Sequence, residues 1–600
     1  AAKAPTIRGV DGTGPAENAN AFFAGSRARL GLRIDGRPAG YNELVFGNAG
    51  LWDVESVEVL RGPQSTLVGR NAVAGTVVIK TKDPTFDYSG ALEASVGNYQ
   101  GRQFAGMVNL PIAEDLLAVR IAGEWQSSES AVGYEPFPGA SNPGDIESIN
   151  VRGKILAHPN IGEDSTLRLT VAHSSYEGPQ GEIIVRPFDN RYSNFPQQPV
   201  HKPSTTSISG EFEVDLDDHW RLELDTSFTD FKFDRKTSPG SSNAGIDTLE
   251  LSVDPRVRYS ADNGVDILVG AHLYKSRQDE FIEFVALQNF DDKVDTYALY
   301  GEAVIPVTDS VDVSLGARYE YERHRRNGGD AAGAVATIDS DRSFRAFLPK
   351  FGLNWQPSRR QSYGFHISKG YNAGGGGISV GTPVPFPVIH YQYDEETVWN
   401  YEVYGRQKLM NGRLQLTQNV FFSRYKDMQL PFDLTPLDTR DEAFVVRNAD
   451  AVTTYGAELG ASFDLTENLN LFGNIGLLKT DITDYPASGV EGNELFGAPS
   501  LTGNAGFTWQ YGGFKTSFSA RYSDGYFTDI NNRPRGKVDP YIVADAHVSY
   551  QFNNIRVFGE VKNLFNSDSA VAFYPGATTA DDTAVLLQPL TFRIGTGIEF

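Results

Sequence analysis

The sequence predicts an all-β membrane barrel: a 22-stranded antiparallel transmembrane β-barrel with an N-terminal mixed α/β plug domain in its lumen. Three observations carry that reading. Strand-length segments alternate apolar and polar side chains. Short turns and long connections succeed one another along the chain. A Gly-rich stretch at the start fits neither pattern.

Alternation is clearest over Trp220 to Phe228. Trp220, Leu222, Leu224 and Phe228 share one face, and Arg221, Glu223, Asp225 and Ser227 share the other. Just before it, Phe212, Val214 and Leu216 alternate with Glu211, Glu213 and Asp215. Only Asp217, Asp218 and His219 separate the two runs, so they form a hairpin with one apolar and one charged face. A membrane barrel turns the charged face into its lumen and the apolar face to lipid.

The unit recurs. Short turns fall at Pro111 to Asp115, Pro159 to Ser165, Asp217 to His219, Ala261 to Gly264 and Thr308 to Ser310. They continue at Pro357 to Gln361, Met410 to Gly412, Thr466 to Asn468, Tyr511 to Gly513 and Asn553-Asn554. Eleven polar connections rich in Gly, Asn, Asp and Pro alternate with these ten turns, from one near Gly97 to one over about 566–588, and together they join 22 strands. The last segment sets Phe592, Ile594, Ile598 and Phe600 against Arg593, Gly595, Gly597 and Glu599. It must pair with the first strand, because an open edge in lipid leaves backbone groups unsatisfied.

Residues 1–85 are Gly-rich, with short apolar strands at Val54 to Leu60 and Gly75 to Ile79, and cannot bury much core alone. They are assigned to the plug, and residues 86–600 to the barrel. A wide pore left open would leak solutes, which a plug prevents.

Composition agrees. Apolar residues are 40% and aromatics 12% of the 600 residues, with 61 glycines; mean hydropathy is −0.33. No apolar run of about 18 residues offers a transmembrane helix. With no cysteine, disulfides, thiolate metal sites and cysteine nucleophiles are excluded together. The net charge of −23 argues against nucleic-acid binding. The chain lacks H-E-x-x-H, G-x-S-x-G and Walker motifs, and its nine histidines are scattered without metal-ligand spacing. We therefore expect no enzyme, no cofactor and no resident metal. The glycine run Gly374 to Gly377 is expected to be a flexible loop. The start, Ala1-Ala2-Lys3, carries no signal peptide and suggests a mature or trimmed form.

Ordered motifs then narrow the class. Val57-Glu58-Val59-Leu60-Arg61-Gly62-Pro63-Gln64-Ser65-Thr66-Leu67, with Gly69-Arg70-Asn71-Ala72 and Gly75-Thr76-Val77-Val78-Ile79, closely resembles the plug signature of TonB-dependent outer-membrane receptors. Ile7-Arg8-Gly9 and Ile34-Asp35-Gly36 resemble two further plug motifs. Glu396 to Glu402, Tyr455-Gly456-Ala457-Glu458 and Val561 to Asn566 resemble barrel motifs of the same family. The chain departs from the family at Val68, where Tyr is usual, and at Ala74-Gly75, where a Gly pair is usual. The resemblance implies a cell-outer-membrane location and a TonB-type energising partner of the inner membrane. It also implies a monomer in contact with outer-membrane lipid and lipopolysaccharide. Family plugs begin well before the Ile-Arg-Gly motif with a segment that recruits the energising partner; that segment is expected upstream of residue 1.

The resemblance further implies that Arg8 and Arg61 of the plug meet Glu402 and Glu458 of the barrel. Two readings fit such a cluster: a latch that yields when the plug is pulled, or a static bridge that docks it. Ligand contacts are expected where the plug apex meets the outer loops. Arg37, Tyr41 and Phe46 mark the plug loop; Phe386, Tyr391 and Tyr393 follow the glycine run; Phe573 and Tyr574 lie in the last loop. Aromatics there can stack on a planar ligand, or merely pack loops and girdle the membrane. Phe344-Arg345-Ala346-Phe347 resembles a haem-receptor motif only faintly, lacking its proline. The expected function is energised import of a scarce bulky ligand, foremost a ferric siderophore. The alternatives are another large nutrient (carbohydrate, aromatic compound, cobalamin) or passive diffusion through a porin.

Overall fold

The computed structural model describes residues 4–15, 25, 27–64, 66, 69, 72–193, 199–284, 286–330, 337–379, 389–434 and 444–600. Twenty-two antiparallel strands close into one barrel, beginning with Ser89–Gly97 and ending with Thr591–Glu599. All ten predicted short turns join consecutive barrel strands. The terminal strand closes the ring on the first, in register from Arg593 opposite Gly97 to Glu599 opposite Ala91. Beyond it, Phe600 and Gly90 exchange both backbone hydrogen bonds, at 2.6 and 2.9 Å.

The two faces sort as the period of two requires. Trp220, Leu222, Leu224 and Phe228 are exposed on the outside, whereas Ser227 is buried in the lumen. Aromatics crowd the short-turn end: Trp220 packs on Tyr259 at 4.7 Å, Phe514 on Tyr550 at 4.5 Å, and Trp509 stacks on Tyr511. This is the interfacial girdle of a membrane barrel.

Strand length varies around the ring. Ala286–Thr308 has 23 residues and Ile555–Lys562 has eight. On the long strand the outward face is apolar at Tyr297, Leu299 and Val307. Toward the loop end the same face turns charged, where Asp295 meets Arg325 at 2.8 Å and Asp291 meets Lys293 at 2.7 Å. The switch marks the upper limit of the lipid-facing band.

The plug fills the lumen with a four-stranded mixed sheet in the order Arg37–Pro38, Leu30–Ile34, Gly75–Thr81, Val54–Arg61. Leu30–Ile34 runs parallel to Gly75–Thr81. A hairpin of two-residue strands, Thr6–Ile7 and Val10–Asp11, precedes it. The stretch expected as a loop from Arg37 to Phe46 is a strand end followed by a helix, Tyr41–Phe46. Arg37 fixes that turn by a two-pronged pair with Glu43, both bonds 2.6 Å.

One expectation is overturned. The glycine run is not a flexible loop: Gly375–Ser379 is a buried strand paired with Ile389–Tyr393. Glycine is required because the hairpin folds inward against the plug. A Cβ on Gly375 would lie 2.5 Å from the Tyr393 hydroxyl, which itself donates to the Gly25 carbonyl at 3.1 Å.

Candidate functional site

Two charged clusters tie the plug to the wall. In the first, the structure brings Arg8, Arg61, Glu402 and Glu458 together. Arg8 reaches Glu402 at 2.7 Å and Glu458 at 3.1 Å, and Arg61 reaches Glu458 at 3.0 Å. Asn400 and Asn419 donate to Glu402 at 2.6 and 2.7 Å, and the Arg8 guanidinium lies 4.1 Å over the Phe421 ring. Burial works against the Arg8 charge, but Glu402 and Glu458 outweigh it and hold the guanidinium protonated more firmly than in water. The motif glycines make room for this. Gly62 has φ +80°, and a Cβ there would lie 2.7 Å from a Glu402 carboxylate oxygen.

The second cluster escaped the sequence reading. Arg29 and Glu396, 1% and 0% exposed, form a two-pronged pair with both bonds 2.8 Å. Glu396 opens a barrel motif quoted above, which is the signal that could have singled it out. Further anchors join Arg27 to Glu322 at 3.0 Å, Asp53 to Arg120 at 2.9 Å, and Asp35 to Lys154 at 3.1 Å. Among the described residues, every plug–wall ion pair falls on the wall between Arg120 and Glu458.

A narrow cavity lies toward the loop end between the plug helix and the wall. Tyr41 and Phe46 line it from the plug, and Phe231, Ile246 and Tyr274 from the wall. Phe46 packs on Phe233 at 4.4 Å. The lining is acidic, with Glu43, Glu250, Glu280 and Asp292 set against Arg27 and Arg326. Arg326 lies 3.2 Å from Asp292 and also pairs with Glu280.

The other sequence-chosen residues scatter. Arg37 is buried in its pair with Glu43 and does not line the cavity. Tyr393 is buried within the inward hairpin, with Tyr391 of the same strand at 6.4 Å. Phe573 packs edge-on against Phe188, and Tyr574 lines a separate chamber. Phe386 lies outside the described residues. Glu280, Asp292 and Arg326 went unnoticed because they sit in strands whose alternation looked like that of every other strand.

Comparison with known proteins agrees with this architecture. A family model described as "TonB-dependent Receptor Plug Domain" matches residues 1–76, and one described as "TonB dependent receptor-like, beta-barrel" matches residues 152–564. The pesticin receptor of Yersinia pestis is 23% identical over 612 residues, covering 95% of this chain and 84% of that receptor. The metal-pseudopaline receptor CntO of Pseudomonas aeruginosa is 22% identical over 503 residues, covering 75% and 67%. The crystal structure of the ferric yersiniabactin uptake receptor FyuA from Yersinia pestis superposes with a TM-score of 0.83 at 19% identity, covering 96% of this chain and 89% of that one. With a closed barrel, a plug in its lumen and a family match over most of its length, this chain belongs to the TonB-dependent receptors and is an outer-membrane import receptor.

Proposed function

We propose that this receptor imports a ferric siderophore, drawing on a TonB-type inner-membrane protein for energy. The observation that carries the proposal is the aromatic cavity between the plug helix and the wall. It sits where a ligand arriving from outside touches plug and barrel at once. Relatives named for pesticin and metal-pseudopaline, and a structural neighbour named for ferric yersiniabactin, support a metal-chelate cargo.

The acidic lining adds a restriction. Four carboxylates against two guanidinium groups disfavour a ligand bearing several negative charges, since charges of one sign repel strongly where water is scarce. The preferred cargo is an aromatic chelate of low or positive net charge.

The test has two arms. Outer-membrane abundance of the protein should rise strongly when its source cells grow with an iron chelator, and an unchanged level would sink the iron reading. In a panel of ferric chelates, an aromatic one of low charge should bind at least tenfold more tightly than ferric citrate; the reverse order would overturn the charge argument. For the chelate that binds best, Tyr41→Ala and Phe46→Ala should each weaken binding about tenfold, or ~1.4 kcal/mol, as expected for the loss of one aromatic contact. Titration calorimetry reads this, and unaltered affinity in both variants would remove the cavity from the binding site.

A further inference from the structure

The connections above the short strands fold into one body. Ile184–Val185, Thr583–Leu586 and Ala570–Tyr574 pair in a three-stranded sheet that joins two connections far apart in the chain. Asp582 is fully buried at its margin. It accepts from the Gly576 backbone N–H at 3.0 Å, from Arg535 at 2.9 Å and from Arg186 at 3.3 Å, so one carboxylate ties three connections together. The neighbouring segments are stitched in as well. Tyr526 donates to the Val571 carbonyl at 2.8 Å, the Gly497 N–H to the Phe527 carbonyl at 2.8 Å, and Asn532 to the Glu494 carbonyl at 2.9 Å.

Beneath this roof a chamber of about 460 Å³ reaches down to the plug hairpin at Thr6 and Asp11. Small-molecule sites span ~300–1,000 Å³, so its size suits one. Val571, Tyr574 and Val585 of the roof line it, and Phe496 and Tyr526 line it from the connections alongside. Tyr541, Thr502 and Ser523 add hydroxyls at the loop ends of wall strands. Among the described residues that line it, three are charged, and all three lie at the plug end. Arg8 and Glu458 pair with each other at 3.1 Å, and Asp11 accepts from the Thr13 backbone N–H at 2.8 Å.

The upper part of the chamber therefore offers rings and hydroxyls without charge. An ion placed there would lose its hydration and gain no counter-charge. A phenol would lay its ring on rings and exchange hydrogen bonds with tyrosine and threonine hydroxyls, each of which both donates and accepts. The roof is bonded to itself before any ligand arrives, which lowers the ordering cost of binding.

We propose that this chamber is a second ligand site and that it takes an uncharged phenolic compound. It shares no lining residue with the cavity beside the plug helix, where carboxylates predominate. The assignment goes beyond the cargo proposed above and holds or fails whether or not a chelate is carried.

Equilibrium dialysis of the full chain in detergent tests it, with para-hydroxybenzanilide as the uncharged probe and para-benzamidobenzoate as its anionic analogue. The parent protein should bind the uncharged probe saturably, and at least tenfold more tightly than the anion. Ala572 and Val585 stand opposite each other in the roof sheet and both line the chamber. Val585→Trp should therefore fill it and weaken binding of the uncharged probe at least tenfold. Ala572→Leu takes its place if the tryptophan variant loses the heat-modifiable migration of a folded barrel. No saturable binding, equal affinity for the two probes, or affinity unchanged in the filled chamber would overturn the site.

Discussion

Glu396→Ala is expected to loosen the plug by roughly 3–5 kcal/mol, the cost of leaving a buried charge without its partner. Arg29 has no water to turn to, being 1% exposed. Glu396 also accepts from the Gln429 backbone N–H at 2.9 Å and from Asn372 at 3.2 Å, so its loss leaves several donors unsatisfied at once. Protease sensitivity of the plug against denaturant, with the barrel intact, gives the measurement. The pair's net worth is a separate question, because desolvating two charges offsets much of their attraction. Arg29→Met combined with Glu396→Leu should therefore recover most of the loss. A single variant within about 1 kcal/mol of the parent would mean that water reaches the site.

Removal of residues 591–600 should abolish the mature barrel. The terminal strand pairs on one side with Ile555–Lys562 and on the other with Ser89–Gly97. Without it, two strand edges would face lipid with no acceptor or donor, at several kcal/mol per group. The heat-modifiable form in outer membranes should fall more than tenfold. Phe600→Ala is milder, since it spares the backbone pair with Gly90 and removes only the ring, which packs where a Gly90 Cβ would lie 2.4 Å from it. Parent-level amounts of folded barrel from the truncated chain would show that the ring closes by another strand.

The barrel was legible because its rules are local. A two-sided strand must alternate, and a hairpin such as Asp217 to His219 must be short, so counting turns counts strands. The inward hairpin at Gly375 was not legible, because glycine promises freedom in isolation and close packing in context. Arg8, Arg61, Glu402 and Glu458 were found through their motifs. Pairings such as Arg29 with Glu396 span 367 residues and leave no mark in local pattern. Arg37 shows the converse: its partner Glu43 lies six residues away, in a segment read as loop, and that pair ties its guanidinium to the plug helix.

The unequal strands decide the direction of approach from outside. Ala286–Thr308 is fifteen residues longer than Ile555–Lys562. At ~3.3 Å per residue and a tilt near 45°, one flank rises roughly 35 Å above the other when the girdled ends are level. The opposite flank is built up instead by its connections, where Ile184–Val185, Thr583–Leu586 and Ala570–Tyr574 pair in a three-stranded sheet. On one side the outer face is therefore continuous barrel wall, with the charged ladder around Asp291 and Asp295, and on the other it is made of folded connections.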